Sequence, residues 1–294
     1  MSAPTTVDRL DVTFPSGRAQ CAAWWYRPGG DGPAPCVVMA HGFSMTRRDG
    51  LEPYAEAFAA AGAHVLVFDH RFLGDSGGEP RQRFRPRAQQ EDWRSAMAYA
   101  RTLAGVDPQR IVPWGFSFSG GHIVTLLSRG VDAAAAMVLC PFVDGLARVL
   151  ATPPKLVAWV LPRAVADLAG RHTLIPVTGA PGSHAAMTLP GEAEGFAASK
   201  GPGSRWRNEI SPGVFATVAL FRPVRKAAAI TVPLWVGRCT EDITADGAAI
   251  GRLAQRAHHA ELQDLPGDHF APFHGEGIAT TIDHQVAFLR RTVL

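Results

Sequence analysis

The residues best placed to do chemistry lie in the run Gly115-Phe116-Ser117-Phe118-Ser119-Gly120-Gly121. It follows a short apolar segment (110–114) and precedes a helix-compatible one (122–127). Strand, glycine turn with a central serine, then helix is the setting of a nucleophile elbow. There a serine is held on a sharp turn with its Oγ exposed, and the next amide is free to bind an oxyanion. The usual pattern is G-x-S-x-G; here Ser119 takes the last position, and Gly120-Gly121 restore backbone room one step later. An ordinary glycine-rich turn is the alternative, so the partners of Ser117 have to decide.

A serine hydroxyl is a weak nucleophile until a base takes its proton, and the base needs an acid to hold its tautomer. On a parallel sheet these partners follow later strands, in the order Ser, acid, His. After the apolar run 233–236 comes Gly237-Arg238-Cys239-Thr240-Glu241-Asp242-Ile243-Thr244, where Asp242 is the expected acid and Glu241 its competitor. After 260–265 comes Pro266-Gly267-Asp268-His269-Phe270, where His269 is the expected base and His274 its competitor. The oxyanion needs two backbone donors. Phe118 follows the nucleophile, and Phe43 follows the turn glycine in Met39-Ala40-His41-Gly42-Phe43-Ser44. Each such donor is worth about 3 kcal/mol to the transition state.

The remaining histidines read as satisfied or surface groups. His122 reads as structural, and His70 as a weak candidate for reaching substrate. No His, Cys, Asp and Glu cluster has metal-ligand spacing, so neither a metal nor a cofactor is expected. The four cysteines (Cys21, Cys36, Cys140, Cys239) have no CxxC spacing and sit mainly in apolar runs, as buried free thiols do.

The elements that must position these residues follow a clear rhythm. An N-terminal hairpin is expected from 7–14 and 19–26 around Pro15-Ser16-Gly17. From residue 35 short apolar runs alternate with helical patterns: 36–40, 51–61, 64–68, 90–103, 110–114, 119–129 and 133–139. The rhythm returns with 232–236, 246–258, 260–265 and 277–291. This is the signature of βαβ units on a parallel sheet buried on both faces. Pro113 is the exception: a proline inside what should be a central strand requires that pairing stop short of it or that a bulge sit there.

Between residues 141 and 230 the alternation stops. Proline breaks (Pro153-Pro154, Pro162), apolar helical pieces (156–161, 165–168) and a glycine-rich loop (179–182) suggest an inserted helical cap. The expected organisation is therefore a core of 1–140 and 231–294 with a cap of 141–230. The cap carries ten Lys/Arg against five Asp/Glu, so the remainder is slightly acidic. Its apolar residues (Leu146, Val149, Leu150, Trp159, Leu161, Met187, Phe196, Trp206, Phe215, Phe221) would line an acyl pocket or pack the cap itself.

The chain as a whole, 294 residues with formal charge +3, is the size of one large α/β domain. It has no basic, aromatic-interleaved helix of a nucleic-acid module and no apolar run of membrane-spanning length. The first nine residues hold no apolar stretch, so no secretory leader and a cytoplasmic location are expected. Arg81, Arg83, Arg85 and Arg87 read as a solvated basic face or as an anion or carrier-protein docking surface. A homodimer is compatible with the chain, though no motif points to one.

Taken together, His41-Gly42-Phe43, the loop Asp69-His70-Arg71-Phe72-Leu73-Gly74-Asp75-Ser76-Gly77-Gly78, the serine elbow, Asp242 and Gly267-Asp268-His269-Phe270 resemble the α/β-hydrolase superfamily over nearly the whole chain. Ser119-Gly120-Gly121-His122 and Trp206-Arg207-Asn208-Glu209 look most like dienelactone-hydrolase-like and X-Pro-dipeptidyl-peptidase S15-type domains. True dienelactone hydrolases carry a cysteine nucleophile, and Ser117 departs from that. The resemblance implies an α/β-hydrolase fold: a mostly parallel central sheet of about eight strands, helices on both faces and an inserted helical cap. It also implies Ser117 as nucleophile, Asp242 as acid, His269 as base, and the Phe43 and Phe118 amides as oxyanion hole. The expected function is a serine hydrolase acting on an ester or thioester of a small to medium acyl substrate. An acyltransferase or cyclising thioesterase would use the same triad. A non-catalytic binding protein would show a broken triad, and none is visible.

Overall fold

Strands that are apolar at every position need cover on both sides, and here they have it. The computed structural model describes residues 8–30 and 32–294. Residues 1–7, with Val7 of the first expected strand, and Asp31 of the following loop lie outside the described residues. Eight strands form one sheet: β1 (Asp8–Ser16), β2 (Ala19–Arg27), β3 (Ala34–Ala40), β4 (His64–Phe68), β5 (Val106–Phe116), β6 (Ala136–Leu139), β7 (Leu234–Cys239) and β8 (Ala260–Leu265). Their order is β1-β2-β4-β3-β5-β6-β7-β8. β1 pairs antiparallel with β2, and β2 pairs antiparallel with β4; every other pairing is parallel.

Side chains alternate across this sheet, as a period of two requires. Val37, Met39, Val65, Val67, Trp114, Met137 and Trp235 enter one core, with α1 (Glu52–Ala60) and α8 (Gly275–Thr292). Cys36, Val38, Leu66, Phe68, Ile111, Val138 and Val236 enter the other, with α2 (Pro86–Ala100), α3 (Phe118–Leu127) and α7 (Gly247–Arg256). The continuous apolar runs of the sequence are this two-sided burial. The helix α2 starts earlier than expected because Pro86 takes a first-turn position, where its missing N–H costs nothing.

Pro113 lies within β5 after all. Its partner on one side is Val38 of β3, while pairing with β6 begins only at Trp114. The Ile111 carbonyl accepts from Ala134 on the β6 side. Two residues on, the proline nitrogen faces that same side, just before the ladder starts. The irregularity sits elsewhere, between Ala34 and Cys36 of β3.

Between β6 and β7 the chain carries α4 (Gly145–Ala151), α5 (Pro154–Leu168), α6 (Glu192–Ala198) and three short 3-10 turns. Pro162 does not interrupt α5, contrary to expectation. The helix is exposed there, so the carbonyl freed by the missing N–H can meet solvent, and Arg163 reaches back to the Trp159 carbonyl at 2.7 Å. The last 3-10 turn, Pro223–Ala229, packs Val224 and Ala227 into the core beside α3 and α7.

The basic run is not a plain solvated face. Arg81 donates to the carbonyls of Ser76 and Gly74, and Arg85 pairs with the buried Asp167 of α5 at 2.7 Å. Two of its four cations thus hold loops and elements in place. All four cysteines are buried free thiols. Among the described residues no helix is long and apolar enough to cross a membrane.

The start of α3 leaves no space for a side chain at Gly121. A Cβ on Gly121 would lie 2.1 Å from the Phe142 carbonyl oxygen. Gly121→Ala should therefore cost about 2 kcal/mol through overpacking. A thermal melt should show the midpoint lowered by roughly 3 °C for a chain of this size; an unchanged midpoint would contradict this packing.

Candidate active site

Ser117 joins β5 to α3 with φ 52° and ψ −116°, a backbone conformation rare for a residue with a side chain. It is held there from three sides. Its N–H donates to Leu139 of β6 at 2.9 Å, and its carbonyl accepts from Phe142 at 2.8 Å and from Gly121 at 3.1 Å. The close approach of strand and helix explains the glycines: a Cβ on Gly115 would meet the Ser119 and Gly120 backbone within 2.8 Å.

The partners arrive from separate strands. Asp242 follows β7, and His269 lies between β8 and α8. His269 Nε2 is 3.1 Å from Ser117 Oγ, and its Nδ1 is 2.6 Å from Asp242 Oδ2. Facing a carboxylate, Nδ1 carries the hydrogen and leaves Nε2 to accept from the serine. The other carboxylate oxygen, Oδ1, accepts from the amides of Thr244 and Ala245, each at 2.8 Å. The chain direction at this turn brings Asp242 inward and leaves Glu241 exposed. His274 is likewise elsewhere, at the start of α8 and 3.4 Å from Ser199 Oγ.

Behind the acid lies a feature that sequence reasoning missed. Cys140 Sγ lies 3.3 Å from Cys239 Sγ and in one cluster with Asp242 and His269. Burial, with Cys239 beside it, pushes the Cys140 thiol well above its ordinary range. A neutral thiol next to an imidazole and carboxylate already bonded to each other suits acid–base chemistry better than a divalent metal.

The loop after β3 packs directly on the elbow. A Cβ on Gly42 would lie 2.8 Å from Ser117 Cβ and 3.4 Å from the Phe118 nitrogen. Only a residue without a side chain lets the two segments meet. Neither the Phe43 nor the Phe118 amide has a hydrogen-bond partner among the described residues.

Ser117 opens into a cavity of about 300 Å³. The side chains of Phe43 and Phe118 form part of its wall, with Val157 and Val160 of α5, Met187 and Phe215. Phe118 is itself packed against Phe142 and Phe221 at ring distances of 5.0 and 4.8 Å. The polar lining is sparse: Ser117, Arg148, Thr152 and Thr244. Arg148 and Thr244 both bond Glu192, whose carboxylate is buried. Val149, Leu161, Met187 and Phe215 line the cavity, Phe196 and Trp206 pack on each other, and Leu150 is exposed.

Beside this geometry stands the chain's similarity to known proteins. The family described as serine aminopeptidase, S33, matches residues 31–267. The chain belongs to this family. It is a hydrolase of the α/β-hydrolase fold. The quorum-quenching protein AidA of Acinetobacter baumannii (strain MDR-ZJ06) is 35% identical over 289 residues, covering 97% of this chain and 95% of that protein. The thiohydrolase aneE of Aspergillus aculeatus (strain ATCC 16872 / CBS 172.66 / WB 5094) is 31% identical over 155 residues, 50% of this chain and 49% of its own. Among solved structures, the α/β hydrolase GrgF from Penicillium sp. sh18 superposes with a TM-score of 0.82 over 97% of this chain and 99% of that one, at 23% identity. The superfamily read from the motifs stands, and the matching family carries the S33 description.

The electrostatics of the loop after β3 in this hydrolase rest on His41. Its ring is buried, stacked on Phe273 at 5.3 Å and edge-on to Phe116. The Gly42 amide donates to its Nδ1 at 3.1 Å, so Nε2 carries the hydrogen and donates to the Asp49 carbonyl. Burial lowers its pKa from 6.5 to about 4 against the opposing pull of Asp49. His122, buried beside Phe118 and bonded to Gln89, is lowered well below its ordinary value, again by burial. A depressed histidine contributes stability that is full above pH 6.5 and is lost as pH falls toward the folded value. His41 alone accounts for roughly 3 kcal/mol between pH 6.5 and 4. Urea unfolding at pH 7.5 and 4.5 should therefore give a lower midpoint at the acid pH; equal midpoints would contradict neutral burial of these rings.

Proposed function

We propose that Ser117, His269 and Asp242 form the catalytic triad of a hydrolase that cleaves an ester or thioester of a small to medium acyl substrate. The Phe43 and Phe118 amides serve as its oxyanion hole, and residues 141–230 form a cap that shapes the acyl site. The observation that carries this reading is the His269 bridge between Ser117 Oγ and Asp242, placed at an apolar cavity.

The chemistry follows from the geometry. His269 Nε2 takes the hydroxyl proton as Ser117 Oγ attacks the carbonyl carbon. The carbonyl oxygen becomes an oxyanion facing the two free amides. Asp242 holds Nδ1–H and stabilises the imidazolium. As the tetrahedral intermediate collapses, the imidazolium gives its proton to the leaving alkoxide or thiolate. Water, activated by the same nitrogen, then releases the acid.

The apolar walls suit an acyl chain, and a drug-sized ligand would fill such a volume. The thiohydrolase relative lends weight to a thioester among the substrates. An aminopeptidase would need a free carboxylate to hold a substrate ammonium. Among the described residues no Asp or Glu lines the cavity, and Glu192 is committed to Thr244, the Leu189 amide and Arg148. The sparse polar lining favours a second reading: a wall that excludes water lets an acceptor alcohol or amine take the acyl group instead.

A panel of acyl esters, thioesters and amides of graded length, with and without alcohol or amine acceptors, tests both readings. Ser117→Ala should lower kcat by about 10⁴-fold or more, with esters and thioesters far ahead of amides for the wild type. Wild-type rates in Ser117→Ala would overturn the assignment, and acyl-acceptor products in place of the free acid would favour transfer over hydrolysis.

A further inference from the structure

A second buried polar chain reaches the elbow from the opposite side. Position 119, usually glycine in the elbow pattern, carries a serine that is 1% exposed. Ser119 Oγ donates to the His41 carbonyl at 2.5 Å. With its hydrogen committed there, the hydroxyl accepts from Nε2–H of His70 at 3.2 Å, and His70, facing a carboxylate at Nδ1, donates from both ring nitrogens. His70 Nδ1 lies 3.3 Å from Asp92 Oδ2, and Asp92 is held in turn by Ser16 Oγ at 2.7 Å and by the Arg71 backbone and guanidinium. Ser119, His70 and Asp92 come from α3, the loop after β4, and α2, and all are buried.

The order Ser, His, Asp repeats that of the proposed triad, but this serine is no nucleophile. Its lone hydrogen is spent on a carbonyl, and it does not line the cavity at Ser117. What it holds is the His41–Gly42 peptide. Ser119 fixes that peptide's carbonyl, and the His41 ring fixes its N–H. Gly42 has more backbone freedom than any other residue, so the direction of the next amide, Phe43, has to be set by such clamps. The peptide is tied to the helix that carries Ser117, so nucleophile and oxyanion donor share one frame.

We propose that Ser119, held by His70, is a positioning residue that aims the Phe43 amide at the oxyanion; this rests on the reading of Phe43 as an oxyanion donor. Its loss should act on the transition state and spare the ground state. A misplacement of about 1 Å can cost 10²-fold in rate, and loss of one oxyanion donor costs about 10²–10³.

The test is steady-state kinetics of Ser119→Ala on an acyl thioester, with inhibition by a trifluoromethyl ketone of the same acyl chain and by the free acid. The ketone adds Ser117 Oγ to form an oxyanion, whereas the acid reports the pocket alone. The expected result is a kcat lowered by about 10–100-fold with KM within about twofold. Ketone affinity should fall in step while acid affinity holds. His70→Gln, whose amide can still donate to Ser119, should stay within about threefold of wild type, and His70→Ala should follow Ser119→Ala. If Ser119→Ala does not fold, Ser119→Gly carries the same expectation. Unchanged kcat and ketone affinity, or equal losses of ketone and acid affinity, would overturn the proposal. Ser117→Ala on the same thioester separates the two readings. If it is inactive while Ser119→Ala is unaffected, only the positioning role fails; if it is active, the triad itself fails.

Discussion

Everything at this site depends on how closely three backbone segments approach at Ser117. The end of β5, the start of α3 and the loop after β3 meet with no space for a Cβ at Gly115, Gly120 or Gly42. The contact forces Ser117 into a left-handed conformation, and the bonds to Leu139, Phe142 and Gly121 hold it there. Strain of this kind costs of order 1–3 kcal/mol and persists only where the surroundings over-determine it. Here they do. The sheet is buried on both faces, so the ends of β3, β5 and β6 cannot move independently. A rigid frame is also what a preorganised oxyanion site requires.

Two buried polar chains converge on that frame, and the contrast between them explains the division of labour. On the β7–β8 side, Asp242 and His269 leave the serine hydrogen facing an acceptor that can take it. On the β4 side, Asp92 and His70 face a serine whose hydrogen is already given to the His41 carbonyl. The first chain is poised to move a proton, and the second is locked. Phe43 and Phe118 link both to the cavity at Ser117, since both residues help to wall it. A change in ring packing from the α5 side would therefore be felt at their backbone.

Much of this was legible in the amino-acid order. The alternating runs from residue 35 announce a two-sided parallel sheet because no polar residue interrupts β3 or β4. Ser117, Asp242 and His269 could be picked out because each directly follows a strand, where a parallel sheet gathers its loops at one edge. Asp242 could be preferred but Glu241 not set aside, because adjacent residues share one turn and only the chain direction separates them. Pro162 misled because propensity reads a break, whereas an exposed helix surface tolerates the missing bond. The chain from Asp92 to His41 was invisible, since its members come from different elements and have no common spacing. The one available trace was Ser119 itself, a hydroxyl where glycine is usual. Half of the basic run proved internal because a buried carboxylate, Asp167, and loop carbonyls needed donors.

The central claim is that Ser117 becomes acylated with His269 as its base. The most direct measurement is rapid-quench intact mass spectrometry of wild-type protein mixed with an acyl thioester, followed by peptide mapping. The account predicts a transient mass increase equal to the acyl group minus one hydrogen, located on the peptide that carries Ser117 and confined to that side chain. Turnover with no adduct, or an adduct on Ser119 or a cysteine, would contradict it.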